Sequence, residues 1–278
     1  MQLLNPGNIV TSGLQIYRSR LKSYFIISLI AHFWLIIPLL GWAKFFANAA
    51  LISRLVFQEV TGNSETLQSA QKQVNQKLVG FLLSAFIVTV VVYISFNFLL
   101  IVIVIIGIRL SPFLYSSVYA YVPKSNLLQT LAFLTYVLFI VFLIGIFIAS
   151  VISVYAQFFI TEVILAVENN INMWNALKKS NKLISSYGFR PQLIITIASL
   201  VCLPVLLLNQ IFLSLLDFGF NLLKLDNSTF LLVINVSSFL LINVILLPFW
   251  QATKALVYYD IQNRREGLTL FISRKTQE

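Results

Sequence analysis

The chain has 278 residues, 59% apolar and 10% charged, with a formal net charge of +10 and a mean hydropathy of +0.91. Soluble domains run about 45–50% apolar and about 25% charged. This composition therefore excludes an ordinary soluble globular protein and predicts an all-α, polytopic membrane protein.

The sequence opens Met1-Gln-Leu-Leu-Asn-Pro-Gly and carries Arg18, Arg20 and Lys22 before its first apolar run. No small-residue cleavage site closes that run, so it reads as a retained anchor. Asn5-Pro6 offers an N-cap followed by proline at the first helical position. A polar helix is expected from there through Ile9, Leu14, Tyr17 and Leu21. Apolar runs follow at 24–40, 42–57, 78–108, 127–160, 193–216 and 230–257. The last four reach the roughly 20 residues that a bilayer core requires. The first two are shorter, with Pro38 to Gly41 as their only break. They form either a tight hairpin of two spans or one span, kinked at Pro38, that emerges as an interfacial helix.

Charge placement favours six spans. With both termini in the cytoplasm, all but Arg109, Lys124 and Lys224 of the 19 Lys and Arg lie on the cytoplasmic side or at adjoining helix ends, as the positive-inside rule requires. Five spans would set Arg18, Arg20 and Lys22 opposite the other clusters. The expected location is the cell membrane, multi-pass, with both termini cytoplasmic. Topology and anionic headgroups account for the positive charge, so no nucleic-acid partner is expected.

Polar, helix-compatible segments precede the first, third and fifth runs. The second of these starts near Asn63 or Ser64, with Leu67, Ala70, Val74 and Leu78 at helical spacing. The third starts near Asn169 or Asn170. There Met173, Trp174, Ala176, Leu177, Leu183, Ile184 and Tyr187 share one half of the helical wheel, and Lys178, Lys179 and Lys182 cluster on the other. This pattern predicts a helix lying in the interface, lysines towards headgroups and Trp174 in the acyl boundary. The chain reads as one membrane domain, 1–278, with repeat units 5–60, 63–168 and 169–268, each an amphipathic helix plus two spans. Each even-numbered span ends on carboxylates: Glu59, then Glu162 and Glu168, then Asp260 and Glu266. The competing explanation is the ordinary recurrence of amphipathic segments in polytopic proteins.

The stretch Glu168-Asn-Asn-Ile-Asn-Met-Trp-Asn-Ala176-Leu177-Lys-Lys-Ser180-Asn-Lys-Leu183 resembles the acidic, then Ala-Leu-x-x-Ser, segment of a bacterial membrane-domain family. That family is similar to the membrane domain attached to some glycerophosphoryl diester phosphodiesterases and has many stand-alone members. The tail Tyr258-Tyr259-Asp260-Ile-Gln-Asn-Arg264-Arg265-Glu266-Gly267-Leu268 is similar to its Tyr-Asp-x-Arg-x-Arg-x-Glu-Gly ending. Gln262 stands where the first arginine is usual, and Thr269 where an aspartate often follows. The resemblance implies a six-helix membrane module. It carries no phosphodiesterase activity with it, since no catalytic domain accompanies it here.

Chemistry has few candidate residues. One cysteine and one histidine exclude an internal disulfide and any multi-thiolate zinc or iron–sulfur site. No nucleotide, zincin or hydrolase motif occurs. No cofactor, metal or enzymatic activity is expected. Intramembrane polar groups mark function by default, and Asn97, Glu162, Asn209, Asn235, Lys254 and Asp260 stand out, beside His32. Amides inside a membrane commonly tie helices together, at about 0.6 kcal/mol each. Glu162 and Lys254 suit either an ion pair near a helix end or a proton or anion site. The expected function is a non-enzymatic module that contacts anionic membrane lipids or a membrane protein partner through Arg18, Arg20, Lys22, Trp174, Lys178, Lys179, Lys182, Arg264 and Arg265. The alternative is a small-solute or lipid transporter with a polar site between the spans.

Overall fold

The computed structural model describes residues 5–63, 65–121, 126–222 and 228–275, with side chains at all of these except 110–121, 126–129, 131–132, 221, 228 and 266–275. Lys124, Lys224 and the side chains of Glu266 and Leu268 lie outside the described residues. The helices are α1 (Pro6–Ser19), α2 (Leu21–Trp34), α3 (Leu40–Val60), α4 (Leu67–Asn75), α5 (Leu78–Tyr121), α6 (Asn126–Phe158), α7 (Thr161–Val167), α8 (Met173–Ser185), α9 (Arg190–Leu222) and α10 (Ser228–Lys275). No strand occurs among the described residues. Five stretches are long and apolar enough to cross a membrane: Leu40–Val60, Leu78–Arg109, Phe133–Val167, Arg190–Phe220 and Thr229–Arg265. Helix α2 is apolar but shorter. The protein is thus an all-α, multi-pass membrane protein, as its composition requires.

Contacts divide the chain into two compact units, Met1–Ala85 with Gln157–Glu278, and Phe86–Ala156. In the first, α3 is the central helix and packs against α10, α2, α4 and α7. Its buried face is rich in small residues, among them Ala43, Ala47, Ala49, Ala50 and Ser53. Small side chains let neighbouring backbones approach closely where apolar burial alone cannot drive association.

Helices α2 and α3 form an antiparallel hairpin. Near its base the Tyr24 hydroxyl donates to Glu59 at 3.3 Å. Towards its tip the His32 and Phe45 rings meet edge-on at 5.2 Å, and His32 Nδ1 lies 2.8 Å from Ser28 O. The tip is a γ-turn. Leu39 has φ 60 and ψ −70, and the Leu40 N–H donates to Pro38 O at 2.7 Å. A Cβ on Gly41 would stand 1.9 Å from Trp34 O, so only glycine closes this hairpin. Pro38 and Gly41 therefore break the apolar run as a hairpin and not as a kink.

The polar helices start a few residues later than their sequence pattern suggests. Asn63 is consumed in ending α3: its N–H donates to Gln58 O at 3.0 Å and that of Gly62 to Glu59 O at 3.2 Å, with Gly62 at φ +75. This is the paired-carbonyl ending that a left-handed glycine provides. Helix α4 then starts at Leu67, where the Thr66 side chain accepts from Ser69 N at 3.3 Å. Asn169 and Asn170 form a turn after α7, and α8 starts at Met173 with Asn172 accepting from Asn175 N at 2.9 Å. Helix α1 starts at Pro6 behind Asn5, as expected, without a side-chain cap bond. The order polar helix, then apolar helices, recurs in α1–α3, α4–α6 and α8–α10.

The second unit holds α5 from Phe86 and α6 to Ala156. Phe96 and Phe147 meet edge-on at 5.1 Å, while Phe98, Ile101, Phe142 and Val141 point outward. Its polar groups turn back on their own helix: Asn97 Nδ2 donates to Tyr93 O and Ser153 Oγ to Ala149 O, both at 2.8 Å. A helix apolar all round, with its polar groups satisfied internally, is suited to hydrocarbon.

Helix α1 docks on α10 through Gly13, where a Cβ would stand 3.0 Å from Thr253 Oγ1. Gly13→Val should push the two helices apart and lower stability by about 1–3 kcal/mol. Gly7→Ala, in open space, should leave stability unchanged or slightly raised. Thermal unfolding of both variants in detergent checks the contrast.

Candidate functional site

Charged side chains of the first unit gather where α3, α4, α7, α8 and the later part of α10 meet. Helix α7 has only seven residues, too few to hold itself together in isolation. Its last carbonyls have no intrahelical donors and carry the negative end of the helix dipole. Two cations satisfy them. Arg54, 4% exposed, donates through Nη1 to Ala166 O and, at 3.5 Å, to Val167 O. Lys77 donates to Leu165 O at 3.0 Å and to Glu168 O.

The other side of the Arg54 guanidinium grips Glu65, Nε to Oε2 at 2.7 Å and Nη2 to Oε1 at 3.3 Å. Two-pronged pairing of this kind fixes geometry as well as charge. Glu65 also accepts from Ser69 Oγ at 3.0 Å and Gln73 Nε2 at 3.2 Å. One buried arginine thus joins α3, the start of α4 and the end of α7. Burial, reinforced by the nearby Arg54 charge and opposed by Glu168, lowers the Lys77 amine below the ordinary lysine value.

Three more carboxylates join this assembly to α8, α9 and α10. Glu168 accepts from Lys179 Nζ at 2.6 Å and from the Tyr258 hydroxyl, which itself accepts from Gln262 Nε2 at 2.6 Å. Glu162 pairs with Lys254 at 2.9 Å and accepts from Gln251 Nε2 at 3.1 Å. The Ser53 hydroxyl holds Gln251 Oε1 at 2.6 Å. Asp260, 3% exposed, accepts from Arg190 Nη2 at 3.1 Å and Arg264 Nε at 2.8 Å. At the hairpin base, Glu59 pairs with Arg20 at 3.0 Å.

The sequence-predicted residues separate into three groups. Glu162 and Lys254 come together as an ion pair, as do Asp260 and Arg264, while Arg20 pairs with Glu59 and Lys179 with Glu168. Arg18, Lys22, Lys178, Lys182 and Arg265 are exposed. The amides do not converge. Asn97 belongs to the second unit, Asn209 is half-buried in α9, and Asn235 is exposed and donates to Leu231 O at 2.9 Å. The apolar half of α8, Ala176, Leu177, Leu183 and Ile184, is buried inside the protein, with α7 as a packing partner, while Trp174 stays 59% exposed.

Sequence reasoning missed Arg54, Glu65, Lys77, Tyr258 and Gln262. Arg54 had a visible signal, since it and Lys44 are the two cations within the apolar run 42–57, and such a charge must find a partner. No group of three or more metal-ligating His, Cys, Asp or Glu occurs among the described residues. Set against family models, curated proteins and solved structures, the chain matches none.

Arg54→Met should cost about 3–5 kcal/mol, because it leaves the part-buried Glu65 and the α7 carbonyls without their cation. Lys179→Gln, at a more exposed pair, should cost no more than about 1 kcal/mol. Unfolding in detergent ranks the two. Lys77 adds a pH signature: the unfolded chain holds its proton more tightly than the folded one. Stability from this group therefore rises with pH in the alkaline range below 10.5, with unfolding measured across that range. Lys77→Met should flatten that slope.

Proposed function

We propose that the protein is a non-enzymatic membrane module whose polar end contacts anionic lipid headgroups at the cytoplasmic face of the cell membrane. One observation carries this reading. Glu65, Glu162, Glu168 and Asp260 each pair with a cation of a neighbouring element and Glu59 pairs with the exposed Arg20, while Arg18, Lys22, Lys72, Lys178 and Lys182 stand on the surface. Internal pairing neutralises the acids, so the net positive charge of this end is carried by its exposed lysines and arginines. Each such residue near an anionic surface contributes about 1 kcal/mol.

The polar helices supply charge and not an inserted face. Ile9, Val10, Ala70, Val74, Ala176 and Leu177 are all buried within the protein. This supports electrostatic contact, sensitive to salt, over hydrophobic insertion of these helices.

We also propose membership of the membrane-domain family that the 168–183 stretch and the tail resemble. The residues that carry the resemblance fall on the structural network. Glu168, Tyr258, Asp260 and Arg264 are ionic or hydrogen-bonded anchors. Ala176 is fully buried, and Ser180 donates to Gln157 O at 2.8 Å. Residues of that kind specify an architecture and not a reaction.

Lys178→Gln with Lys182→Gln removes two exposed charges and leaves the Lys179–Glu168 pair in place. The double variant, in nanodiscs of mixed neutral and anionic lipid, should retain less anionic lipid and show a shallower salt dependence. Lipid mass spectrometry across a salt series reads both. Equal retention and equal slopes would overturn the proposal.

A further inference from the structure

We infer that the α2–α3 hairpin enters one leaflet of the bilayer and returns to the face it came from, without crossing. Helix α4 sets the depth. It runs antiparallel to α3, tied at one end by Arg54 to Glu65 at 2.7 Å and at the other by Lys44 Nζ to Asn75 Oδ1 at 3.2 Å. The ten-residue step along α3 from Lys44 to Arg54 covers about 15 Å. Along that length α4 turns Gln68, Gln71 and Lys72 outward, and Gln76 is exposed just past its end. Were α3 a crossing helix, these amides and this lysine would face hydrocarbon, where nothing satisfies them. The stretch from Lys44 to Val60 therefore lies outside the hydrocarbon, in contact with protein and polar headgroups.

What remains is an apolar tip. Ile36 is 77% and Leu40 75% exposed, and Phe33, Leu39 and Trp42 are exposed beside them. Helix α2, at 14 residues, spans about 21 Å against a core of about 30 Å. Leu39 adds an independent observation. Its γ-turn, at φ 60, is a strained conformation for a residue with a Cβ. A leucine held there with its side chain exposed is explained if that side chain meets acyl chains.

The test uses full-length protein with Cys202→Ser and single cysteines placed by Ile36→Cys, Leu40→Cys and Gln71→Cys, reconstituted in sealed vesicles. Gln71→Cys should react with a membrane-impermeant maleimide and so report the side of α4. The two tip cysteines should stay unlabelled from either side until detergent is added. A fluorophore introduced at Leu40→Cys in detergent should be quenched by lipids brominated on their acyl chains. Labelling of the tip from the face opposite Gln71→Cys would establish a crossing hairpin and overturn the inference. Labelling from the same face would place the tip in water and overturn it equally. Both tip positions are exposed, so a folding failure at one leaves the other to decide.

Discussion

Arg54 is the group on which the first unit depends. A guanidinium cannot lose its proton under any ordinary condition, so burying it obliges the fold to surround it with acceptors. The surroundings it acquires are a carboxylate from the α3–α4 connection and the open carbonyls of α7. Neither partner is stable as placed without the cation. Glu65 would be an uncompensated charge, and α7 would be a helix of two turns with an unsatisfied end. Lys77 reinforces the same end from the start of α5. Three sequence-distant segments are therefore fixed together by electrostatics, and the remaining pairs extend the arrangement outward to α8, α9 and α10.

The apolar helices follow a different rule because their solvent is different. In α5 and α6, polar side chains bond to carbonyls of their own helix four residues back, and the apolar side chains point outward. Hydrocarbon asks for no core, only for the absence of unsatisfied polar groups. The polar helices do the opposite. They bury a narrow apolar stripe against protein and leave amides and cations outside. The same chain thus uses amphipathicity to build a folded polar end and uniform apolarity to build membrane arms.

Class and order of elements were legible in sequence because they depend on composition and period. The helix start at Asn5-Pro6, a break at Pro38 to Gly41 and the facing of Ala176, Leu177, Leu183 and Ile184 all follow from local rules, whereas the choice between hairpin and kink at that break does not. What those faces pack against did not follow. A stripe of apolar residues reads alike whether it meets acyl chains or a neighbouring helix, and for α8 the neighbour is protein. The pairing of Glu162 with Lys254 was visible as a juxtaposition at helix ends. The Arg54–Glu65 and Lys77–α7 contacts were not, since they depend on how α3, α4 and α7 pack and not on any spacing along the chain.

The same ambiguity governs the reading of α3 itself. By length and composition it qualifies as a membrane span, yet 61% of its most apolar window is buried inside the protein, against 0% for the windows of α5 and α6. Hydropathy measures how far a segment avoids water, and a helix at the centre of a protein avoids water as well as one in lipid does. The deciding information lies in the neighbours. A helix flanked along much of its length by a helix with a polar outer face has its environment set by that companion. The apolar runs of the sequence therefore differ in physical role, the Leu40–Val60 stretch having a mean hydropathy of 1.2 against 2.3 to 3.1 for the later ones. The later runs find their apolar environment chiefly in lipid, and the 42–57 run finds most of its own in the protein.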